Sequence, residues 1–234
     1  IKIDRSNRAK DWRDILGRSW PIGVSIFLNL IYLRADMVIL SLTRPQTEVG
    51  LYGAAYKAVD VVTVLPFLMM GLVLPFLVRA WTAGDHDDFR KILDRTFSVF
   101  TLGAIPLIAG TAMVGRPLMA LAAGANFADA GNLLAVLVVA AGSVFFGSLF
   151  GHAVVAMGLQ KKTVWIYAIA AAISLALYFV AIPRFGAWGA AGVTIFSELF
   201  VAVTTFAVVA RKANFRPSPG PILKAVSAAV PMVG

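Results

Sequence analysis

The sequence predicts an all-α polytopic membrane protein with six transmembrane helices, on three observations. Of its 234 residues, 59% are hydrophobic and only 14% charged, where an ordinary soluble domain carries about 25% charged residues. The apolar residues gather into six runs of about the 20 residues that a helix needs to cross a bilayer. None of these runs alternates with a period of two over about 10 residues, as barrel strands do, and helices are then the remaining way to satisfy the backbone in lipid.

Residues 1–18 form a basic leading segment in which Trp12, Ile15 and Leu16 make a short apolar stripe. It is expected to lie along the inner interface with Lys and Arg toward headgroups. The first span, 20–42, is too long for a signal-peptide core and is interrupted by Arg34 and Asp36. The second, 51–78, holds Pro66 and Pro75, and the third, 97–114, holds Pro106. Between them Phe89, Ile92, Leu93, Thr96 and Phe97 follow the spacing of one helix face, a second segment expected at the interface. Pro21 opens the first span. These prolines are either bending points of a moving transporter or the ordinary prolines of membrane helices.

The fourth span, 133–157, contains the small-xxx-small pair Gly147 and Gly151. The fifth is 164–182, and the sixth, 187–210, opens on Gly186, Gly189 and Gly192. Both sets of glycines predict close helix packing. An apolar segment beginning at Pro221 reads as the start of a further helix. The organisation is therefore 1–18 leading segment, 19–211 six-helix unit, and 212–234 linker with the start of another helix. The chain begins at Ile1 and stops at Gly234 inside an apolar stretch, so a piece of a longer protein is expected.

Net charge is +9, from 21 Lys and Arg against 12 Asp and Glu. These cations sit in short clusters between apolar runs and not on one basic face, so they read as topological anchors and exclude a nucleic-acid partner. The clusters before 20, around 79–95, at Lys161 and Lys162, and from Arg211 to Lys224 fall on one side. Only Arg44, Arg116 and Arg184 fall on the other. The alternation fits six crossings with both ends cytoplasmic. There is no cysteine, and His86 and His152 are the two histidines, so neither a metal site nor any other cofactor is expected. The phosphate loop G-x-x-x-x-G-K-[ST], the H-E-x-x-H pair and the G-x-S-x-G elbow are absent. Asp85, Asp87 and Asp88 read as a solvated loop. A non-enzymatic protein is expected.

Charges at membrane depth cost at least about 2.5 to 3.5 kcal/mol each, so each requires a partner, water or neutralisation. By helical rise, Arg34 and Asp36 lie about 12 and 9 Å below one end of their span, and Lys57 and Asp60 about 9 and 14 Å down the returning helix. Two readings stay open. In one, a hydrated cavity offers Arg34 or Lys57 to an anionic group. In the other, Arg34 pairs with Asp60 and Lys57 with Asp36, fastening two helices. Glu198, about 16 Å into the sixth span, is either a protonated local donor or an ion-coupling site, and His152 reads as a packing residue.

Three stretches taken in order carry a family resemblance. Arg34-Ala-Asp36 followed by Glu48-Val-Gly-Leu-Tyr52-Gly-Ala-Ala-Tyr56-Lys57 and a span ending Leu74-Pro75 resembles the opening of the C-terminal half of polysaccharide flippases. Gly158-Leu-Gln-Lys-Lys162 resembles their basic turn, and Ile182-Pro-Arg-Phe-Gly186-Ala-Trp-Gly189-Ala-Ala-Gly-Val-Thr194 a later signature. These flippases are the polysaccharide-transporter branch of the multidrug/oligosaccharidyl-lipid/polysaccharide exporter superfamily. Arg34-Ala-Asp36 departs from the commoner Asp-Arg order of that stretch.

The resemblance implies one six-helix lobe of a two-lobe, alternating-access exporter in the bacterial inner membrane. The implied cargo is an undecaprenyl-pyrophosphate-linked oligosaccharide moved from the cytoplasmic to the periplasmic leaflet. The implied partners are that lipid-linked oligosaccharide, membrane lipids, an N-terminal lobe, and glycosyltransferases or a polymerase. Arg34 and Lys57 would contact the pyrophosphate, with Asp36, Asp60 and Glu198 as ion-coupling or structural charges. A cation-coupled drug or metabolite exporter, and a non-transporting scaffold for glycan-synthesis enzymes, are the alternatives.

Overall fold

The computed structural model describes residues 8–233, with side chains at 17, 19–20, 22–31, 34–225 and 227. Its elements are α1 (Arg8–Thr43), α2 (Gln46–Thr82), α3 (His86–Ala123), a short 3-10 turn (Ala125–Phe127), α4 (Ala130–Ala156), α5 (Gln160–Ala213) and α6 (Pro219–Val233). The described residues are helical with no strand, as the apolar runs require. Residues 22–43 of α1 and the whole of α2, α3, α4 and α5 are long and apolar enough to cross a membrane. The chain is a multi-pass membrane protein.

Local chemistry sets the helix ends. Pro45 has no N–H to continue α1, and its φ of −59° with ψ of 146° opens α2 after a two-residue turn. Gly84, at φ 74°, turns the chain out of α2. The Asp85 carboxylate then accepts the Asp88 N–H at 2.9 Å and caps α3. Pro66, Pro75 and Pro106 lie inside α2 and α3, which continue across them. The side chain of Pro21 lies outside the described residues.

The two expected interfacial segments stand differently. α1 runs unbroken from Arg8 into the first span. The side chains of Trp12, Ile15 and Leu16, and all of residues 1–7, lie outside the described residues. In α3 the second stripe is continuous with the third span and faces protein: Phe89 and Leu93 are fully buried and Thr96 and Phe97 nearly so. Those rings pack with Phe145, Phe150, Leu77 and Phe215, which removes the reason for the stripe to insert among lipids.

α5 is 54 residues long, and a straight rod of that length would span about 81 Å against a hydrocarbon core of about 30 Å. It is not straight. Gly186 is non-helical, at φ 59° and ψ −137°, and the hydroxyls of Tyr178 and Thr194, sixteen residues apart in sequence, meet at 3.1 Å. In a rod their backbones would be about 24 Å apart. The fifth and sixth predicted spans are thus two arms, 160–185 and 187–213, folded back on each other at Gly186.

The three glycines opening the second arm do different things. Gly186 makes the turn. Gly189 passes so close to the Ala181 carbonyl that a Cβ would collide with it, whereas Gly192 has open space around it. A second close crossing joins α3 to α4, where a Cβ on Gly131 would strike the Arg116 backbone. α4 is apolar all round and buried along most of its length. It serves two apolar clusters, one around Leu40, Tyr52, Leu137, Tyr178 and Ile182, the other around Phe100, Phe145 and Phe150. Past α5, Arg90 donates to the Ala213 carbonyl at 3.2 Å, and Asp94 accepts from both the N–H and the hydroxyl of Ser218 at 2.9 Å. These bonds fix the chain leading into α6.

Candidate functional site

The first site is built where α1, α2 and the bend of α5 converge. Arg34 and Asp36 leave opposite sides of α1, as their spacing of two requires. Arg34 is half exposed, and its guanidinium donates to Asp60 of α2 at 3.1 Å while lying 5.3 Å over the Tyr56 ring. Asp36 is 1% exposed. It accepts the Tyr52 hydroxyl at 2.5 Å and its neighbouring Met37 N–H at 2.6 Å. The network then passes to α5: Thr194 lies 3.5 Å from the Tyr52 hydroxyl and 3.1 Å from that of Tyr178, and donates to its own Ala190 carbonyl.

Of the pairings open from sequence, Arg34 with Asp60 is present and Lys57 with Asp36 is not. Tyr52 reaches Asp36 from the buried face of α2, whereas Lys57 is on its exposed face. Lys57 makes no salt bridge among the described residues. Asp60, three residues on along the same helix, is held by Arg34.

Glu48 is a residue that the sequence reading left without a role. Its carboxylate accepts the Ala187 N–H at 2.7 Å and pairs with Arg44 at 3.3 Å. It therefore caps the second arm of α5 just past Gly186, where the helix dipole favours an anion. The signals for Tyr52, Tyr178 and Thr194 were present as polar groups in apolar runs, and Glu48 as the acid in the turn between the first two spans. Their partners, as much as 142 residues away, were not.

A second polar feature lies along α1, α4 and both arms of α5. A cavity of about 360 Å³ is lined by Ser25, Asn29, Ser148, His152, Gln160, Thr163, Tyr167 and Glu198 among others. Gly147 and Gly151 also line it. The pair read as a packing motif thus also leaves room, although Gly147 does sit within ordinary contact of Ala202. Glu198 is 5% exposed. The His152 ring nitrogen Nδ1 is 2.7 Å from the Ser148 carbonyl, a helix-internal bond that orients the ring. The cavity expected around Arg34 and Lys57 is not this one: neither residue lines it, nor do Asp36 and Asp60. No cluster of metal-ligating side chains occurs among the described residues.

Comparison with known proteins bears on the same segments. Residues 4–81 match the family described as polysaccharide biosynthesis protein. This match takes in α1 and nearly all of α2, with Arg34, Asp36, Glu48, Tyr52, Lys57 and Asp60. Over 172 residues, 72% of its length, the chain is 28% identical to the probable flippase AglR of Haloferax volcanii, of which the alignment covers 36%. The chain spans little more than a third of that relative.

Proposed function

We propose, from the match of residues 4–81 to the polysaccharide biosynthesis family and the similarity to a probable flippase, that this chain is a polysaccharide flippase segment forming one six-helix lobe of a two-lobe exporter. In this reading the lobe translocates a lipid-linked oligosaccharide by alternating access. The sixth crossing comes from counting the two arms of α5 separately, since each is about 40 Å long and long enough to span. The basic loops support a topology with both ends in the cytoplasm, and the membrane in this reading is a bacterial inner membrane.

The observation that carries the reading is the state of the two membrane-depth cations. Arg34 is held by Asp60 yet half exposed, and Lys57 is exposed with no salt bridge among the described residues. A charge held at that depth without full compensation is costly, and an anionic pyrophosphate headgroup offsets the cost each time it passes. A second lobe facing α1 and α2 would enclose both cations in a common cavity. Asp36, buried and bonded to Tyr52, is then a structural charge. Glu198, in its separate polar cavity, is the residue placed to sense a coupling ion, an observation that also favours the reading as a cation-coupled exporter of the same superfamily.

The test is replacement of Arg34 and Lys57 by Ala in the complete protein, with surface polysaccharide and membrane protein level read together. Loss of polymer at unchanged protein level is expected. Full retention of polymer would overturn the assignment of these residues to the cargo. Drug or metabolite export that depends on Glu198, with polymer unaffected, would favour the cation-coupled reading.

A further inference from the structure

A groove of about 340 Å³ lies between the first two turns and the last three turns of α5, lined by Lys162, Ile166, Thr204, Ala207, Val208, Arg211 and Lys212. The bend at Gly186 makes it, because it returns the end of the second arm beside the start of the first. Its composition is divided. Three cations stand at one end, above a wall of Ile166, Ala207 and Val208. The lining contains no acidic residue, and none of the three cations forms a salt bridge among the described residues.

The helix dipole accounts for only part of this. Arg211 and Lys212 lie in the last turn of α5, where cations are favoured. Lys162 lies in the first turn, where a cation opposes the dipole. Three like charges gathered without a counter-charge repel one another, and an anion among them would relieve that repulsion. The groove is also separate from the polar cavity. Lys162 and Ile166 each precede a cavity residue, Thr163 and Tyr167, by one position, which is a rotation of about 100° around the helix. No residue lines both.

We propose that this groove binds an anionic glycerophospholipid of the leaflet on the basic side, its phosphate among Lys162, Arg211 and Lys212 and its acyl chain along Ile166, Ala207 and Val208. Basic pockets between transmembrane helices on the cytoplasmic side hold such headgroups, and the volume lies within the usual range of about 300–1,000 Å³ for a ligand site. A bulk phospholipid fits better than the glycolipid cargo because the groove shares no lining residue with the polar cavity and includes neither Arg34 nor Lys57. The site stands whether or not the cargo is an oligosaccharide.

The test is native mass spectrometry of the purified full-length protein, titrated separately with palmitoyl-oleoyl phosphatidylglycerol, palmitoyl-oleoyl phosphatidylcholine, farnesyl diphosphate and inorganic phosphate. Each Lys or Arg near an anionic lipid is worth about a five-fold factor. The wild type is therefore expected to retain phosphatidylglycerol at least about ten-fold better than phosphatidylcholine. The triple variant Lys162→Gln, Arg211→Gln, Lys212→Gln should lose that preference. The charge-preserving Lys162→Arg, Arg211→Lys, Lys212→Arg should keep it, which separates lost binding from lost folding. Arg95→Gln, an exposed cation elsewhere, should also keep it. Retained preference in the neutral triple variant, equal binding of the two phospholipids, or displacement of phosphatidylglycerol by a lower concentration of farnesyl diphosphate or inorganic phosphate would each overturn the proposal.

Discussion

Replacing Gly186 by Ala tests the bend that turns one 54-residue helix into two arms. At φ 59° and ψ −137° the backbone lies where only glycine rests easily, and holding alanine there costs about 1–3 kcal/mol. The added Cβ also lands on the Glu48 carboxylate and within 2.7–2.8 Å of the Arg44 guanidinium. Glu48 must then leave the Ala187 N–H, and losing such a cap costs about a further 1 kcal/mol. The expected total is about 2–4 kcal/mol, read as the shift in unfolding free energy when the detergent-purified complete protein is titrated with SDS. Glu48→Ala alone should cost about 1 kcal/mol, most of it the cap, because the Arg44 pair is partly solvated and adds a few tenths. With Glu48 already truncated, the Cβ meets less, and Gly186→Ala should then cost only the backbone term. A double-mutant cycle should therefore return a coupling of about 1 kcal/mol. An unaltered unfolding curve for Gly186→Ala, or the same cost in both backgrounds, would refute the account of the bend.

Two further substitutions probe the interior. Tyr52→Phe removes the hydroxyl that Asp36 accepts at 2.5 Å and leaves a buried carboxyl short of a partner, so a loss of about 1–3 kcal/mol is expected in the same titration; Asp36→Asn should lower the cost of Tyr52→Phe, since the carboxamide is less costly to bury. Gly131→Ala places a methyl group on the Arg116 backbone and should destabilise by about 1–3 kcal/mol, whereas Gly192→Ala, with open space around it, should leave the unfolding midpoint within experimental scatter.

The spans were legible because a bilayer reads composition directly: a run of about 20 apolar residues has few other fates. The pairing of Arg34 with Asp60 was also within reach, since two adjacent helices joined by a short turn bring similar depths together. The partner of Asp36 was not. Lys57 has the complementary charge, but the direction of a side chain around α2 decides contact, and that direction places Tyr52 inward and Lys57 outward. Glu48 was illegible for a different reason. A reversal between the fifth and sixth spans was expected, but capping the second arm of α5 requires knowing that this turn packs beside the start of α2, a closure across 139 residues. The stripe at Phe89, Leu93 and Phe97 shows the opposite limit. Its helical period was correct, but periodicity gives an apolar face without saying whether lipid or protein covers it, and here Phe145, Phe150 and Phe215 do.

The bonds from Arg90 to Ala213 and from Asp94 to Ser218 decide which part of the molecule carries α6. Sequence order would make α6 an extension of α5, free to swing about residues 214–218. Tied at both ends of that linker to the first turns of α3, it follows α3 instead. Any tilt of α3 therefore reaches α6 with little slack, and it reaches the end of α5 as well, since Ala213 is the last residue of that helix. The N-terminal end of α3 is thus the lever through which motion passes to the last helix.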